Sequence, residues 1–104
     1  MGINEDDIPF LPRYVRFRRE RFGGFIFNAR KDELLQLNRT SFHILTLIDG
    51  QKSIKKIIDI LLKEYKGNSK EIVHDALMFV EELFKREFIE FLKKERVTTY
   101  GNTD

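Results

Sequence analysis

The sequence has no cysteine, no tryptophan and only two prolines in 104 residues. The lack of cysteine excludes a disulfide framework, a thiolate nucleophile and every cysteine-based zinc or iron–sulfur site. No apolar run approaches the roughly 20 residues that a helix needs to span a bilayer. The acidic start, Glu5-Asp6-Asp7, is unlike a signal peptide. We therefore expect a cytoplasmic protein, in a reducing compartment, with no membrane partner.

The chain is also poor in the groups that catalysis requires. Its two imidazoles, His43 and His74, are predicted to lie on different helices, with no carboxylate at a shared metal-ligand spacing. The serines and threonines stand at predicted caps and turns, so no nucleophile, base and orienting group can be assembled. A chain of this length forms one small core, with little room for a deep active site. We predict a binding module that is not an enzyme and holds no metal or cofactor.

Positive charge is concentrated in one short part of the chain, although the net charge is only +2. Residues 13–31 carry seven basic groups against the single acid Glu20. Such asymmetry implies an anionic partner, or an anionic segment of one. The side chains predicted to steer this partner are Arg16, Arg18, Arg19 and Arg21.

The first half of the sequence predicts three strands joined by short turns. Residues 14–18 alternate between apolar and basic side chains, residues 22–28 form a second strand, and Glu33 to Leu37 a third. Short connections favour an antiparallel meander with the third strand at an edge. Gly23-Gly24 indicates a bulge or a close approach of backbone near the first turn, because no phosphate-binding context surrounds it.

The second half predicts three helices. Asn38 caps the first, an almost wholly apolar helix that Gly50 ends; Ser53 and Gly67 delimit the second, and Ser69 caps the third. The apolar residues of helix three cover an arc of about 160°, wider than one packing contact requires. The predicted fold is α+β, a three-stranded antiparallel meander followed by three helices, similar to a winged helix-turn-helix.

We expect one domain between two flexible ends. Residues 1–12 are an acidic lead-in in which Pro9 and Pro12 prevent regular pairing. Residues 13–92 form the domain, within which residues 88–92 read either as a short strand or as a last helical turn. Residues 93–104 read as a loose tail.

Winged helix-turn-helix proteins bind DNA through their third helix, so DNA binding is an alternative. Here that helix carries Glu71 and Asp75 near its N-terminal end. These acidic groups would face phosphates, which is costly because DNA affinity depends on neutralising them. The charge pattern therefore disfavours a nucleic-acid partner, although the basic segment would still bind phosphate non-specifically.

Several short motifs follow the third predicted strand: Leu37-Asn38-x-Thr40, Ile44-Leu45, Ile48-Asp49-Gly50, Ser53-Ile54 with Ile57, Val73-x-Asp75, and Phe79-Val80 with Leu83. Together they resemble the motifs of the PqqD-like family of RiPP recognition elements. The resemblance covers about residues 13–91. Within the family, Arg18-x-x-Arg21-Phe22-Gly23-Gly24 followed by Leu37-Asn38-Arg39-Thr40 is most similar to the mycofactocin-type peptide-binding protein.

The resemblance implies a protein that captures the leader of a ribosomally made precursor peptide and presents it to a radical SAM enzyme. An edge strand suits this role because its free N–H and C=O groups can pair with an extended peptide. We predict that the peptide-binding residues are Leu34, Leu35, Gln36 and Leu37 on the strand, and Ile72, Asp75, Ala76 and Phe79 on helix three. Three other possibilities stay open: the edge is covered by the chain's own tail or a second copy in a homodimer, the apolar arc is used up in the core, or the arginines form a solvated face.

Overall fold

The computed structural model describes residues 2–92 and has the predicted α+β architecture. The strands are β1 (Pro9–Phe10), β2 (Val15–Glu20), β3 (Gly23–Asn28), β4 (Glu33–Asn38) and β5 (Glu90–Phe91). The helices are α1 (Arg39–Thr46), α2 (Ile54–Glu64) and α3 (Ser69–Lys85). Within residues 2–92, none of the helices has the length and apolar character needed to cross a membrane.

The meander forms an antiparallel sheet with the order β2-β3-β4, so β4 lies at an edge, as predicted. The register places Phe27 opposite Arg16 on one side and Leu34 on the other. Because side chains alternate along a strand, this row lies on one face and the neighbouring residue Ile26 lies on the other. Ile26 is fully buried, so its face is the one that packs on the helices.

The core lies between that face of the sheet and the three helices. Each helix contributes a buried stripe, as the apolar spacing predicted. Burial of each large apolar side chain contributes about 1.5–3 kcal/mol to folding before the entropy cost is counted. The fully or almost fully buried side chains include Phe42 and Leu45 of α1, Ile57 and Leu61 of α2, Val80 and Leu83 of α3, and Phe88.

Two of the three predicted helix caps are confirmed, and one is wrong by a residue. The Asn38 carboxamide oxygen accepts a hydrogen bond from the Ser41 N–H at 2.8 Å, and the Ser53 hydroxyl accepts one from Lys56 N–H at 3.1 Å. Helix α3 is capped by Asn68, not by Ser69. Asn and Ser are equally good caps, and here the extended backbone of Asn68 leaves Ser69 as the first helical residue.

Helix α1 ends earlier than predicted, at Thr46 instead of Gly50. Gly50 does have the expected positive φ of 78°, but in the turn that follows the helix. Asp49 holds this turn, because its carboxylate accepts hydrogen bonds from Lys52 Nζ and from the N–H groups of Lys52 and Gln51. These hydrogen bonds, that from Lys52 Nζ foremost, hold the pKa of Asp49 well below its usual value.

The N-terminal segment is paired with the rest of the domain, so the expectation that its prolines prevent pairing is wrong. Strand β1 pairs with β5 antiparallel, which also identifies residues 90–91 as a strand. Proline lacks an N–H but keeps its carbonyl, and the Pro9 carbonyl accepts a hydrogen bond from Gly50 N–H at 3.1 Å. The Asp7 carbonyl accepts from the Ile54 N–H at 2.9 Å. The predicted tail, residues 93–104, lies outside the described residues.

Gly23 and Gly24 serve close backbone approach, as predicted. A Cβ at Gly23 would lie 2.2 Å from the Leu37 carbonyl oxygen, and φ there is 145°. A Cβ at Gly24 would lie 2.4 Å from the Phe42 ring and 2.5 Å from the Arg18 carbonyl oxygen. Real side chains do not pack this closely, so Gly24 is what lets the Phe42 ring lie directly on the sheet.

We therefore predict that Gly24→Ala destabilises the domain. The added methyl must displace Phe42 or the β2 backbone, and overpacking of this kind typically lowers the unfolding free energy by about 1–3 kcal/mol. Urea denaturation followed by circular dichroism measures the loss. Gly2→Ala is the matched control because a Cβ there meets no atom within 4 Å. Equal stability of the two variants would contradict the close approach.

Candidate functional site

The sheet has two edges, and their side chains differ in character. Strand β2 carries Arg16, Arg18 and Arg19, all exposed. Charged side chains are a common means by which proteins protect an edge from pairing. Strand β4 instead carries Leu34, which is 59% exposed. The edge of β4 is thus the one suited to pairing with another strand.

An ion pair joins the start of β4 to the end of α3. The Arg86 Nε donates to the Glu33 carboxylate at 2.9 Å, and the Arg86 Nη2 contacts the same oxygen. Residues three to four apart on a helix share a stripe, and the stripe that leads back from Arg86 carries Glu82, Phe79, Asp75 and Ile72. The ion pair therefore brings the C-terminal end of this stripe next to the start of β4. The sequence alone left open which rim faces the strand.

The predicted peptide-binding residues fall into accessible and buried groups. Leu34, Gln36 and Asp75 are exposed, whereas Leu35, Ile72 and Phe79 are half-buried. Leu37 is 5% exposed and Ala76 is 2% exposed, so their side chains belong to the core. Leu35 and Leu37 lie on the helix-packed face, while Leu34 and Gln36 lie on the opposite face.

Sequence reasoning missed the structural role of Asn28, which lies at the end of β3 opposite Glu33. Its side chain is fully buried, and the Nδ2 donates to the Glu87 carbonyl at 2.9 Å. Its Oδ1 accepts from the N–H groups of Arg30 at 2.9 Å and Lys31 at 3.1 Å. The β3–β4 turn is thereby attached to Glu87, two residues after the end of α3. An asparagine at the start of a turn was the available signal, but its burial depends on a partner 59 residues away.

The predicted basic cluster is divided between the two faces of the sheet. Arg16 and Arg18 flank Phe27 and Phe25 on the face away from the helices. The guanidinium of Arg19 instead lies 4.9 Å from the centre of the Phe42 ring. Arg19 and Arg21 line a cleft of about 330 Å³, together with other residues of the β2–β3 hairpin, α1 and Tyr65. The four arginines therefore do not form one continuous surface.

The two polar aromatic side chains near the ends of the sheet have structural partners. His43 Nε2 lies 2.6 Å from a Glu64 oxygen, which fits the prediction of a hydrogen-bonded histidine at the core boundary. The Tyr14 hydroxyl donates to Glu90 at 2.9 Å, and this hydrogen bond raises the pKa of Tyr14. Among residues 2–92 there is no group of three acidic or histidine side chains placed to hold a metal ion.

A family model described as coenzyme PQQ synthesis protein D (PqqD) matches residues 23–89. Because this match spans more than half of the chain, the protein belongs to the PqqD family. A PqqA-binding protein of Rhodopseudomonas palustris strain HaA2 is 26% identical over 89 residues, which are 86% of this chain and 87% of the relative. The PqqA-binding protein of strain BisB5 is also 26% identical, over 84% of this chain and 85% of its own length.

Solved structures share the fold. A lasso peptide synthetase B1 complexed with its leader peptide superposes with a TM-score of 0.69 at 19% identity, covering 80% of this chain and 98% of that one. The solution structure of the PqqD part of Methylobacterium extorquens PqqCD, described as a stand-alone RiPP recognition element, gives a TM-score of 0.68 at 24% identity. It covers 86% of this chain and 95% of the other. The predicted architecture is confirmed by these likenesses.

We predict that Asn28→Ala destabilises the protein through three unpaired backbone groups. Burying an unsatisfied polar group costs about 1–3 kcal/mol, so the unfolding free energy should fall by at least that amount. Urea denaturation provides the measurement. The control is Asn4→Ala, since Asn4 is exposed and its side chain makes no hydrogen bond within the described residues. A loss no larger than the control's would show that the Asn28 hydrogen bonds are dispensable.

Proposed function

We propose that this protein binds the leader segment of a ribosomally made precursor peptide by strand addition at the edge of β4. The observation that carries the proposal is a sheet edge, β4, which no other strand of residues 2–92 pairs with and which the Glu33–Arg86 ion pair places next to the end of α3. Two groups of relatives support it. The curated relatives are PqqA-binding proteins, and a structure with this fold is complexed with a leader peptide.

Backbone pairing supplies affinity in this proposal, and side chains supply specificity. An extended peptide would exchange N–H and C=O hydrogen bonds with residues 34–37, each contributing about 0.5–1.5 kcal/mol net. Side chains of the peptide that point to the helices would meet Ile72 and Phe79, with Asp75 beside them. The Glu33–Arg86 ion pair closes the groove at the start of β4.

The proposed partner of the loaded protein is a radical SAM enzyme. The described residues offer no nucleophile with an oriented base, so the modification of the peptide must be performed by a partner. The Arg18-x-x-Arg21-Phe22-Gly23-Gly24 pattern favours the mycofactocin-type subgroup. In this function the chain is a non-catalytic peptide chaperone without a cofactor of its own.

An N-methyl scan of the leader tests strand addition without altering the protein. The proposal requires a precursor peptide; a fluorescein-labelled synthetic peptide of its leader is the probe, and the readout is anisotropy. In an antiparallel ladder, alternate N–H groups point to the partner strand. We expect N-methylation to weaken binding about tenfold or more at every second position, because it removes a hydrogen bond and adds a methyl group at the interface.

The unmethylated peptide and the positions between the sensitive ones are the internal controls. A scan with no two-residue period would mean that the peptide does not add as a strand. Duplex DNA of the same genomic region is the competing ligand. Tight, sequence-dependent retention of that DNA at near-physiological salt, with no leader binding, would instead favour the winged helix-turn-helix alternative.

The arginines of the β2–β3 hairpin are proposed to steer an acidic partner. Replacing Arg16, Arg18, Arg19 and Arg21 together by Gln should slow association with an acidic leader, on the order of tenfold at low salt, and leave dissociation nearly unchanged. No single arginine should abolish binding, because exposed charges contribute only about 0–1 kcal/mol each. Stopped-flow association at two ionic strengths measures the effect.

The matched control removes the same charge elsewhere. It replaces four exposed lysines of the helical part by Gln: Lys56, Lys63, Lys66 and Lys70. Steering predicts that this variant keeps the association rate closer to the wild-type value. Salt-insensitive association of the wild-type protein would mean that the arginines are a solvated face.

A further inference from the structure

The face of the sheet that points away from the helices, here called the outer face, is unusually apolar. Its central part consists of two cross-strand rows, Arg16–Phe27–Leu34 and Arg18–Phe25–Gln36, and a third row, Glu20–Gly23–Asn38, lies next to the β2–β3 turn. An antiparallel sheet with helices on one side normally presents polar side chains to water on the other. In the two central rows, three of the six positions, Phe25, Phe27 and Leu34, are large and apolar.

These apolar side chains form a continuous groove. A cavity of about 430 Å³ is lined by Phe25, Phe27 and Leu34, with Arg16 and Arg18 at its rim. The Phe22 ring, 42% exposed, packs edge-on against Phe25 with the ring centres 5.3 Å apart, and so extends the groove towards the β2–β3 turn. A contiguous apolar surface with a polar rim is typical of a protein interaction site.

The charge of the rim defines what can cover it. The guanidinium of Arg16 contacts the carbonyl of Arg13 and has no carboxylate partner within the described residues. Arg18 pairs with Glu20, yet its side chain is 74% exposed. A second copy docked face to face would bring a second set of arginines into the interface and, from the two central rows, no acidic side chain to pair with them, which is costly. An acidic surface that also carries apolar side chains complements both the groove and its rim.

The outer face is also continuous with the proposed leader site. Leu34 and Gln36 belong to β4, so a peptide strand added beyond β4 would extend the sheet by one strand. Alternate side chains of that peptide would then lie on the outer face, beside Leu34 and Gln36. A partner covering this face would contact the bound peptide as well as the protein.

We propose that the outer face is the docking surface for an acidic, apolar-bearing patch on the enzyme that modifies the bound peptide. This inference rests on the proposed function. It requires that leader and enzyme bind cooperatively, because each contributes part of the surface that the other contacts. Coupling of this kind is reciprocal, so the leader should tighten enzyme binding by the same factor as the enzyme tightens leader binding.

The test uses the full chain, the synthetic leader and the purified radical SAM enzyme that the proposed function requires. Two variants change the outer face at positions outside β4: Phe27→Ala, on the central strand β3, and Arg16→Glu, on β2. Each should weaken enzyme binding, measured by calorimetry, by about tenfold or more. Phe27→Ala should leave leader affinity within about twofold of wild type, because β4 lies between Phe27 and the added strand. Arg16 is also one of the proposed steering residues, so enzyme binding of Arg16→Glu is measured with the leader at saturation, where slower leader association does not lower its occupancy.

The controls place matched changes off the outer face. Met78→Ala removes a 55% exposed apolar side chain of α3, and Lys66→Glu reverses an exposed charge near the end of α2. Both should bind the enzyme as wild type does. Circular dichroism verifies folding of every variant, and Arg16→Glu, a change of an exposed side chain, provides the test if Phe27→Ala unfolds the sheet.

Wild-type enzyme affinity in folded outer-face variants would overturn the inference while leader binding and the proposed function still stand. Sedimentation showing a wild-type dimer that Phe27→Ala dissociates would also overturn it, because a second copy would then occupy the outer face. Failure of the wild-type protein to bind the leader would overturn the proposed function and this inference together. Selective loss of enzyme binding, with leader binding intact, supports the inference.

Discussion

The hydrogen bonds of Asn28 determine how the two halves of the domain meet. A fully buried carboxamide must satisfy its donors and acceptors internally, and this one does so by joining the β3–β4 turn to the Glu87 carbonyl, just past α3. The Glu33–Arg86 ion pair lies beside it and is partly exposed, so it contributes less stability. The buried amide anchors the chain just past α3, and the ion pair holds the same end of the helix next to the start of β4. Together they set the spacing between the end of α3 and the β3–β4 turn.

The opposite end of the sheet is fixed by close packing instead of hydrogen bonding. Without a side chain at Gly24, the Phe42 ring of α1 lies directly against β3, and Phe17 meets the same ring edge-on at 5.7 Å. The sheet is thus attached to α1 at one end and to α3 at the other. Two attachments of different kinds hold it against the helices, and the residues that make them do not lie on the outer face.

Local patterns were sufficient to predict the strand order, the edge position of β4, two helix caps and the purpose of the paired glycines. These features depend on neighbours in sequence, where alternation, capping chemistry and turn length act directly. The patterns failed where distant residues decide. Asn28 is buried because its side chain donates to Glu87, Arg86 at the end of α3 is held by Glu33, and β1 forms because it pairs with β5 and accepts a hydrogen bond from Gly50 N–H. The secondary-structure propensity of a residue contains no information about partners that are distant in sequence.

Because side chains alternate along a strand, the proposed complex divides the side chains of the leader into two sets that face different partners. A leader paired with β4 turns one half of its side chains to the rim of α3 and the other half to the outer face. In the proposed complex, the first half would be recognised by this protein, through Ile72 and Phe79. The second half lies beside Leu34 and Gln36, where a docked enzyme would meet it. The two sets alternate along the peptide, so a one-residue slip in the pairing would exchange them. A leader would therefore present the correct side chains to the enzyme only when it is paired with β4 in the correct register.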